Sequence, residues 1–288
     1  MGRTRSKRQE GLSSSRGVEP PCEINDIAAY LRALSFPTER IGFESGSLSQ
    51  HLFYGLTAER FVVVCMEARQ VSAGLLAMRN KTDQNDARGI AQILRTGWFS
   101  PIHMKSREAH GVRALLGTRK ALLSKTIDLA NEVLGLLKIF GIRLPKTVQH
   151  GSFDDVVRPI IEIDEVLAHA MLPLLDARLV LYQRFLELDR RVKRAASQDE
   201  VWMRLMTVPG VGTIAALTFK AAVDVPARFK QSRTVAAHFG LTPRRYQSAE
   251  HDNPGRISKA GDRDVRATLY AAANALLMRT MARSQIKS

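Results

Sequence analysis

Apolar and polar residues alternate between two periods along the first hundred positions. Spacings of three and four run from Asp26 to Leu34, from Ser47 to Leu56 and from Ala68 to Met78, and predict helices. Glu39-Arg-Ile-Gly-Phe-Glu44 and the stretch from Arg60 to Met66 read instead as short β-rich runs. Strands alternating with helices predict an α/β domain on a parallel sheet. A turn at Arg79-Asn-Lys-Thr82 precedes a further helix, Asp83 to Thr96, closed by Gly97, and the domain is expected to end near Lys105.

Two longer helical patterns follow, Glu108 to Phe140 and Ile160 to Ala196, parted by the breakers Gly141, Pro145, Gly151 and Pro159. In the second, Met171, Leu174, Arg178, Leu181, Phe185, Leu188, Val192 and Ala195 recur at alternating spacings of three and four, all apolar but Arg178. This seam predicts a spacer over residues 106–200, either a helical hairpin within the chain or a coiled coil through which a homo-oligomer would form. From Val201 the pattern shortens to Pro209-Gly-Val-Gly212, a helix through Ala222 and a polar, basic stretch, so residues 201–288 are expected to form a mainly α C-terminal domain.

Charge narrows the choice of partner. The 288 residues carry 43 Lys+Arg against 28 Asp+Glu, a formal net charge of +15. Residues 227–288 alone hold twelve Lys/Arg against four Asp/Glu, more than half of that surplus, and in a globular chain this predicts a polyanion, DNA or RNA first. Residues 1–17 carry Arg3, Arg5, Lys7, Arg8 and Arg16 against Glu10 with few apolar side chains, and are expected to be a disordered basic tail. Cys22 and Cys65 stand apart, with no CxxC or Cys/His grouping, so no disulfide framework or structural zinc site is read and a cytoplasmic setting is expected. The longest apolar run, Phe61 to Met66, is far short of the about 20 residues that cross a bilayer, and no membrane partner is expected.

Candidate chemistry falls in three places. The glycines Gly210 and Gly212 between two helices read as a helix-hairpin-helix whose backbone N–H groups approach a DNA phosphate, though a plain inter-helix turn has the same pattern. Asp83 and Asp86, three apart at a helix start, share one face and suit a divalent cation; an N-cap followed by a first-turn acid looks alike. Glu44 ends a predicted strand before a glycine turn, where open α/β sheets place their sites, and with the two aspartates suits Mg²⁺-assisted phosphoryl transfer. Ser248 follows Pro243-Arg-Arg-Tyr-Gln247 in a stretch read as a loop ending at Gly255. A hydroxyl near Arg244, Arg245, Arg256 and Lys259 suits attack on a phosphodiester or simple phosphate contact, and Ser258 is a second candidate or an N-cap.

Lys81 to Ala91, Ile41-Gly-Phe-Glu-Ser-Gly46, Leu205 to Leu217, Gly240-Leu-Thr-Pro243 and Tyr246-Gln-Ser248 together resemble the DEDD-type transposases of insertion-sequence family one hundred and ten, relatives of the Piv DNA invertase. The resemblance runs from about Val18 to Arg283. It implies a RuvC-like, RNase H-type domain over 18–105, a coiled-coil spacer and a C-terminal domain bearing a nucleophilic serine. It further implies Glu44, Asp83 and Asp86 as Mg²⁺ ligands, Ser248 as the group that forms a covalent phosphoserine with DNA, and a structured guide RNA as a second partner. No Asp matches the family's first acid on its opening strand. Asp26 is nearest but begins a helix, so the domain is expected to lack that strand and to leave Glu39 to Glu44 with an unpaired side. Ala249 stands where the family usually has Gly, and the chain is expected to be shortened at both ends. The two functions implied are a recombinase that cuts DNA and transfers the strand, and a remnant that binds DNA without cutting.

Overall fold

The computed structural model describes residues 23–248 and 251–279, apart from 77, 79 and 146. The basic tail, Val18 to Cys22, Ala249 and residues 280–288 lie outside the described residues. The chain divides into two compact units, Met1–Met104 and Lys105–Ser288.

In the first unit α1 (Ile24–Arg32), β1 (Ile41–Glu44), α2 (Ser49–Ala58), β2 (Val63–Met66), α3 (Ala68–Leu75) and α4 (Asp83–Thr96) follow one another. The strands are parallel, with Ile41 opposite Val63 and Glu44 opposite Met66, and α2 is the crossover between them. Met66, Val71, Ile93 and Leu94 form the core, with Val64, Leu75, Ile90 and Phe99 packed around it. At Gly42 α4 presses onto β1. A Cβ there would lie 2.7 Å from Leu94 Cδ2 and 3.1 Å from Met66 Cε, so the helix approaches only because the side chain is missing.

The ends of α4 are written in its own sequence. Thr82 Oγ1 accepts from Asn85 N at 3.2 Å, and Gly97 closes the helix at φ 74 with its N–H donated to Leu94 O. One edge of β2 is covered by a bridge from Met66 to Pro101, with Ile102 N donating to Cys65 O at 2.8 Å. Among the described residues β1 pairs with β2 alone, and its other side borders a groove of about 600 Å³ lined by residues including Tyr30, Phe36, Thr38 and Ile90. The α/β pattern of the sequence thus builds a two-stranded sheet under helices.

The second unit begins with α5 (Arg107–Ile139), α6 (Phe153–Ile161) and α7 (Glu165–Ala196). α5 and α7 form an antiparallel hairpin within the chain. Val133 and Leu137 near the end of α5 share a cluster with Leu167 and Met171 near the start of α7, while Val112 and Leu116 meet Leu188 and Val192 at the opposite end. Phe153, Val157 and Ile161 of α6 complete the first of these clusters as a third helix.

The start of the second long helix differs from expectation. Pro159 lies inside α6, and α7 begins only at Glu165, where the Asp164 carboxylate accepts from Val166 N at 2.8 Å and Leu167 N at 3.2 Å. The seam also drifts. Ala196 is buried where Ala195 is exposed, and Leu174, Leu181 and Leu188 are half-buried, because α7 faces α6 and α9 as well as α5.

Arg178, the polar residue of that seam, is fully buried. It pairs with Asp154 of α6, donates to His150 O at 2.9 Å, and its guanidinium carbon lies 4.3 Å from the Phe153 ring centre and 5.7 Å from that of Tyr182. Burial pushes the Asp154 carboxyl above the usual range by more than Arg178 draws it down. Asp154 Oδ1 and Arg178 Nε are buried without a partner.

The chain continues through α8 (Glu200–Met206), α9 (Thr213–Val223), a 3-10 turn at Pro226–Arg228, α10 (Ser232–His238), β3 (Pro243–Ser248), β4 (His251–Ile257) and α11 (Arg263–Arg279). Packing runs unbroken through Val201: Leu217 of α9 joins Val192 and Ala196 of α7. Ser106, the N-cap of α5, donates from both N and Oγ to the Asp224 carboxylate just beyond α9, at 2.9 and 2.7 Å. The stretch around Ser248, expected as a loop ending at Gly255, lies instead on β3 and β4, which pair antiparallel with an irregularity between Pro243 and Arg245. Its sequence has almost no apolar alternation, so the pairing rests on backbone hydrogen bonds that hydrophobic periodicity does not reveal.

Candidate nucleic-acid interface

The acidic positions of the first unit fall on two elements, β1 and α4. Glu44 is exposed at the end of β1, Asp83 is exposed as the first residue of α4, and Asp86 is half-buried one turn later. The N-cap of α4 is Thr82, so Asp83 does not serve as one. β1 meets α4 where Gly42 abuts Leu94. Among the described residues no three His, Cys, Asp or Glu side chains group closely enough to hold a metal ion. The three carboxylates are therefore not assembled as a Mg²⁺ ligand set.

One further acid in this region is not among the candidates that the sequence suggests. Glu67 directly follows β2, one step past the residue opposite Glu44, and its carboxylate accepts from Gln70 N at 2.7 Å as the N-cap of α3. Its signal is the same as that of Glu44, an acid closing an apolar β-rich run. The turn after β1 is built by Ser49, whose Oγ accepts from Gly46 N at 2.6 Å and donates to Glu44 O at 3.4 Å.

In the second unit the two glycines between α8 and α9 have different surroundings. Gly210 has φ 84, and a Cβ there would lie 2.4 Å from Ala272 O of α11, so this glycine is required by helix packing. Gly212 is the N-cap of α9 and faces open space, with its N–H and those of the first turn at the positive end of the helix dipole. Of the pair, Gly212 alone stands where a phosphate can approach.

The hairpin carries the serine and much of the nearby cationic charge. Ser248 is the last residue of β3, opposite His251, and Arg245 is opposite Pro254. The side chains of both Ser248 and Arg245 lie outside the description. Arg244 and Arg256 are exposed, and Arg244 Nη2 donates to Ser258 O at 3.3 Å. Lys259 is exposed and holds φ 54, an uncommon conformation for a residue with a Cβ. Ser258 caps no helix: its N–H donates to Thr242 O at 2.9 Å, its Oγ accepts from Ala260 N at 3.4 Å, and Asp262 caps α11.

Beneath the hairpin, Arg113 of α5 pairs with Asp262 at 2.5 Å. Burial pushes the Asp262 carboxyl up, but the Arg113 bond and two backbone N–H bonds outweigh it and hold it below the usual range. Lys105, which donates to Ala222 O at 3.0 Å, is held below the usual ammonium range by burial and by the nearby Arg228 and Arg113. Burial is the larger cause, and the carboxylates of Asp262 and Asp224 partly offset the two arginines. No helix among the described residues is long and apolar enough to cross a membrane.

Residues 203–287 match the Transposase IS116/IS110/IS902 family, and residues 23–142 match the DEDD transposase family of the IS110 type. The chain is 30% identical over 217 residues to the transposase for insertion sequence element IS1111A of Coxiella burnetii, an overlap covering 73% of this chain and 58% of that protein. It is 26% identical over 208 residues to the transposase for insertion sequence element IS1328 of Yersinia enterocolitica, covering 69% of this chain and 60% of the relative. The chain thus spans under two thirds of the length of the relatives it matches.

Proposed function

The chain belongs to the IS110/IS116/IS902 family of transposases, and from that premise we propose that it recombines the DNA of an insertion sequence with Ser248 as nucleophile. The observation that carries this reading is the position of Ser248 at the end of a strand whose hairpin also bears the exposed Arg244 and Arg256, all within the matched region 203–287. The serine oxygen bonds to the phosphorus of a DNA phosphodiester while the bond from phosphorus to one deoxyribose oxygen breaks. The serine proton ends on the departing oxygen, leaving a hydroxyl, and the phosphate stays esterified to Ser248. A second strand's hydroxyl then attacks the same phosphorus and returns the serine. Arg244 and Arg256 offset the charge that builds on the phosphate oxygens, and the first turn of α9 at Gly212 holds a backbone phosphate further along.

In this reading the first unit is the RuvC-like part, the helical spacer joins copies, and a structured RNA is the second polyanion that the basic surplus serves. DEDD transposases as a family use divalent metal ions. Among the described residues Glu44, Asp83 and Asp86 form no three-ligand group, and the transfer above is carried by Ser248 and the arginines. The absence of an assembled three-ligand group among the described residues favours a second reading, DNA occupancy without cleavage. Mixing the purified chain with duplex DNA carrying element ends and then denaturing it decides between them. The recombinase reading expects a covalent protein–DNA adduct that Ser248→Ala abolishes; tight binding with no adduct in Mg²⁺ or Mn²⁺ supports the second, and an adduct that survives Ser248→Ala refutes the serine.

A further inference from the structure

The two feet of the β3–β4 hairpin meet in an unusually close backbone crossing. Gly240 has φ 65, and a Cβ on it would lie 2.2 Å from Ala260 N; Gly261 has φ 68, and a Cβ on it would lie 2.2 Å from His238 O. Ser258 N donates to Thr242 O at 2.9 Å and Lys259 N to Gly240 O at 3.1 Å, which ties one foot to the other. From the first turn of α11, Arg266 Nη1 reaches both: it lies 3.2 Å from Phe239 O on the entering side, and 2.5 Å from Ala260 O and 3.2 Å from Gly261 O on the leaving side. α11 itself is anchored beside this point by Val265, fully buried against Phe239, Ala222 and Val223.

We propose that Arg266 is a positioning residue: its guanidinium binds the carbonyls of both feet and so fixes the direction in which the hairpin presents Ser248. This role rests on Ser248 being the nucleophile and adds what aims it. Lever length makes the staple matter. β3 advances five residues from Pro243 to Ser248, about 17 Å, so a tilt of about 10° at the feet moves the end by about 3 Å. Reacting groups must hold to about 0.5 Å, and a misplacement of about 1 Å costs on the order of 100-fold in rate. A cation whose bonds among the described residues all go to carbonyls, and which is placed at the pivot, acts on the angle of the hairpin.

The test compares the full chain with Arg266→Met, which keeps the apolar stem and loses the donors, and with Arg266→Lys, which keeps the charge and the donors on a stem too short to bring its nitrogen to the point that Nη1 occupies. Amide exchange read by mass spectrometry should speed up at least tenfold at Ser258 and Lys259 in Arg266→Met and less in Arg266→Lys. The rate of adduct formation at saturating DNA should fall at least tenfold in the same order, with the Kd for duplex DNA changed by less than about threefold, given the leverage at the feet. Unchanged exchange at those two amides in both variants overturns the proposal, as does faster exchange with an unchanged adduct rate. Should Arg266→Met fail to fold, Arg266→Lys carries the comparison. An adduct that persists in Ser248→Ala refutes the nucleophile alone, since the exchange measurement does not depend on which residue attacks.

Discussion

The buried Arg178–Asp154 pair should respond asymmetrically to loss of either partner. Asp154→Ala leaves a guanidinium with no accessible neutral form, enclosed between the Phe153 and Tyr182 rings and holding a single carbonyl, His150 O. Stranding a buried charge costs about 3–5 kcal/mol. For a unit of this size about 2–4 °C of melting temperature accompanies each kcal/mol, so the second unit should melt roughly 6–20 °C lower. Arg178→Met leaves instead a carboxyl that burial already pushes above its usual range, and this group escapes by taking a proton. Its folded-state pKa is raised, so the folded form binds the proton more tightly and the variant regains stability as pH falls from 7 toward 4. Replacing both with apolar residues, Arg178→Met with Asp154→Leu, should fall within about 1 kcal/mol of the native chain or exceed it. Calorimetry of the three variants at pH 7 and pH 5 reads all of this. An Asp154→Ala variant milder than Arg178→Met would refute the asymmetry, as would a double variant as unstable as the worse single.

Gly210→Ala should cost roughly 2–4 kcal/mol, combining a φ of 84 with a Cβ driven against Ala272 O, whereas Gly212→Ala, facing open space, should cost under about 1 kcal/mol; urea unfolding separates them. Asp189, Asp199 and Asp262 are each pushed up by burial but drawn further down by Lys193 and Arg119, by Lys220, and by Arg113 respectively. Their folded-state pKa values lie below the unfolded ones, so they stabilise the fold above about pH 4 and that contribution is lost as pH falls through the folded values. An acid melting series that keeps the same slope after Asp189→Asn would contradict this. Changing Arg244, Arg256 and Lys259 together to Ala should lower the slope of log Kd against log salt for duplex DNA by up to about 2.7, at about 0.9 for each phosphate no longer neutralised; no change in slope would show that these cations touch no phosphate.

Where local chemistry decides structure, the sequence can be read closely. Asp83 to Thr96 keeps the bounds its pattern predicts and Gly97 closes it, although the capping oxygen is that of Thr82 and not of Asp83, the neighbouring residue that the sequence also suits for a cap. The Arg178 seam is legible as a helical face, but its partner is not, because Asp154 sits on a separate short helix and only tertiary packing brings the two together. The hairpin 243–257 is hidden for the opposite reason: its strands are polar on both faces and carry Pro254 and Gly255. The acids of the first unit show a further limit. Spacing places Asp83 and Asp86 on one helical turn, yet the distance from that turn to Glu44 depends on where along α4 the strand crosses, and that point is chosen by Gly42 and Leu94.

A helix of 32 residues, about 48 Å, laid against another of similar length has several nearly equivalent ways to interdigitate leucines with leucines. One cation in the contact removes that degeneracy. Sliding α7 along α5 by a heptad carries Asp189 about 10 Å from Arg119, its partner on α5 at 2.6 Å, and strands a largely buried carboxylate, a misalignment far dearer than any reshuffled apolar contact. The pair thus works as an index mark on a ruler, holding the two long helices in one register.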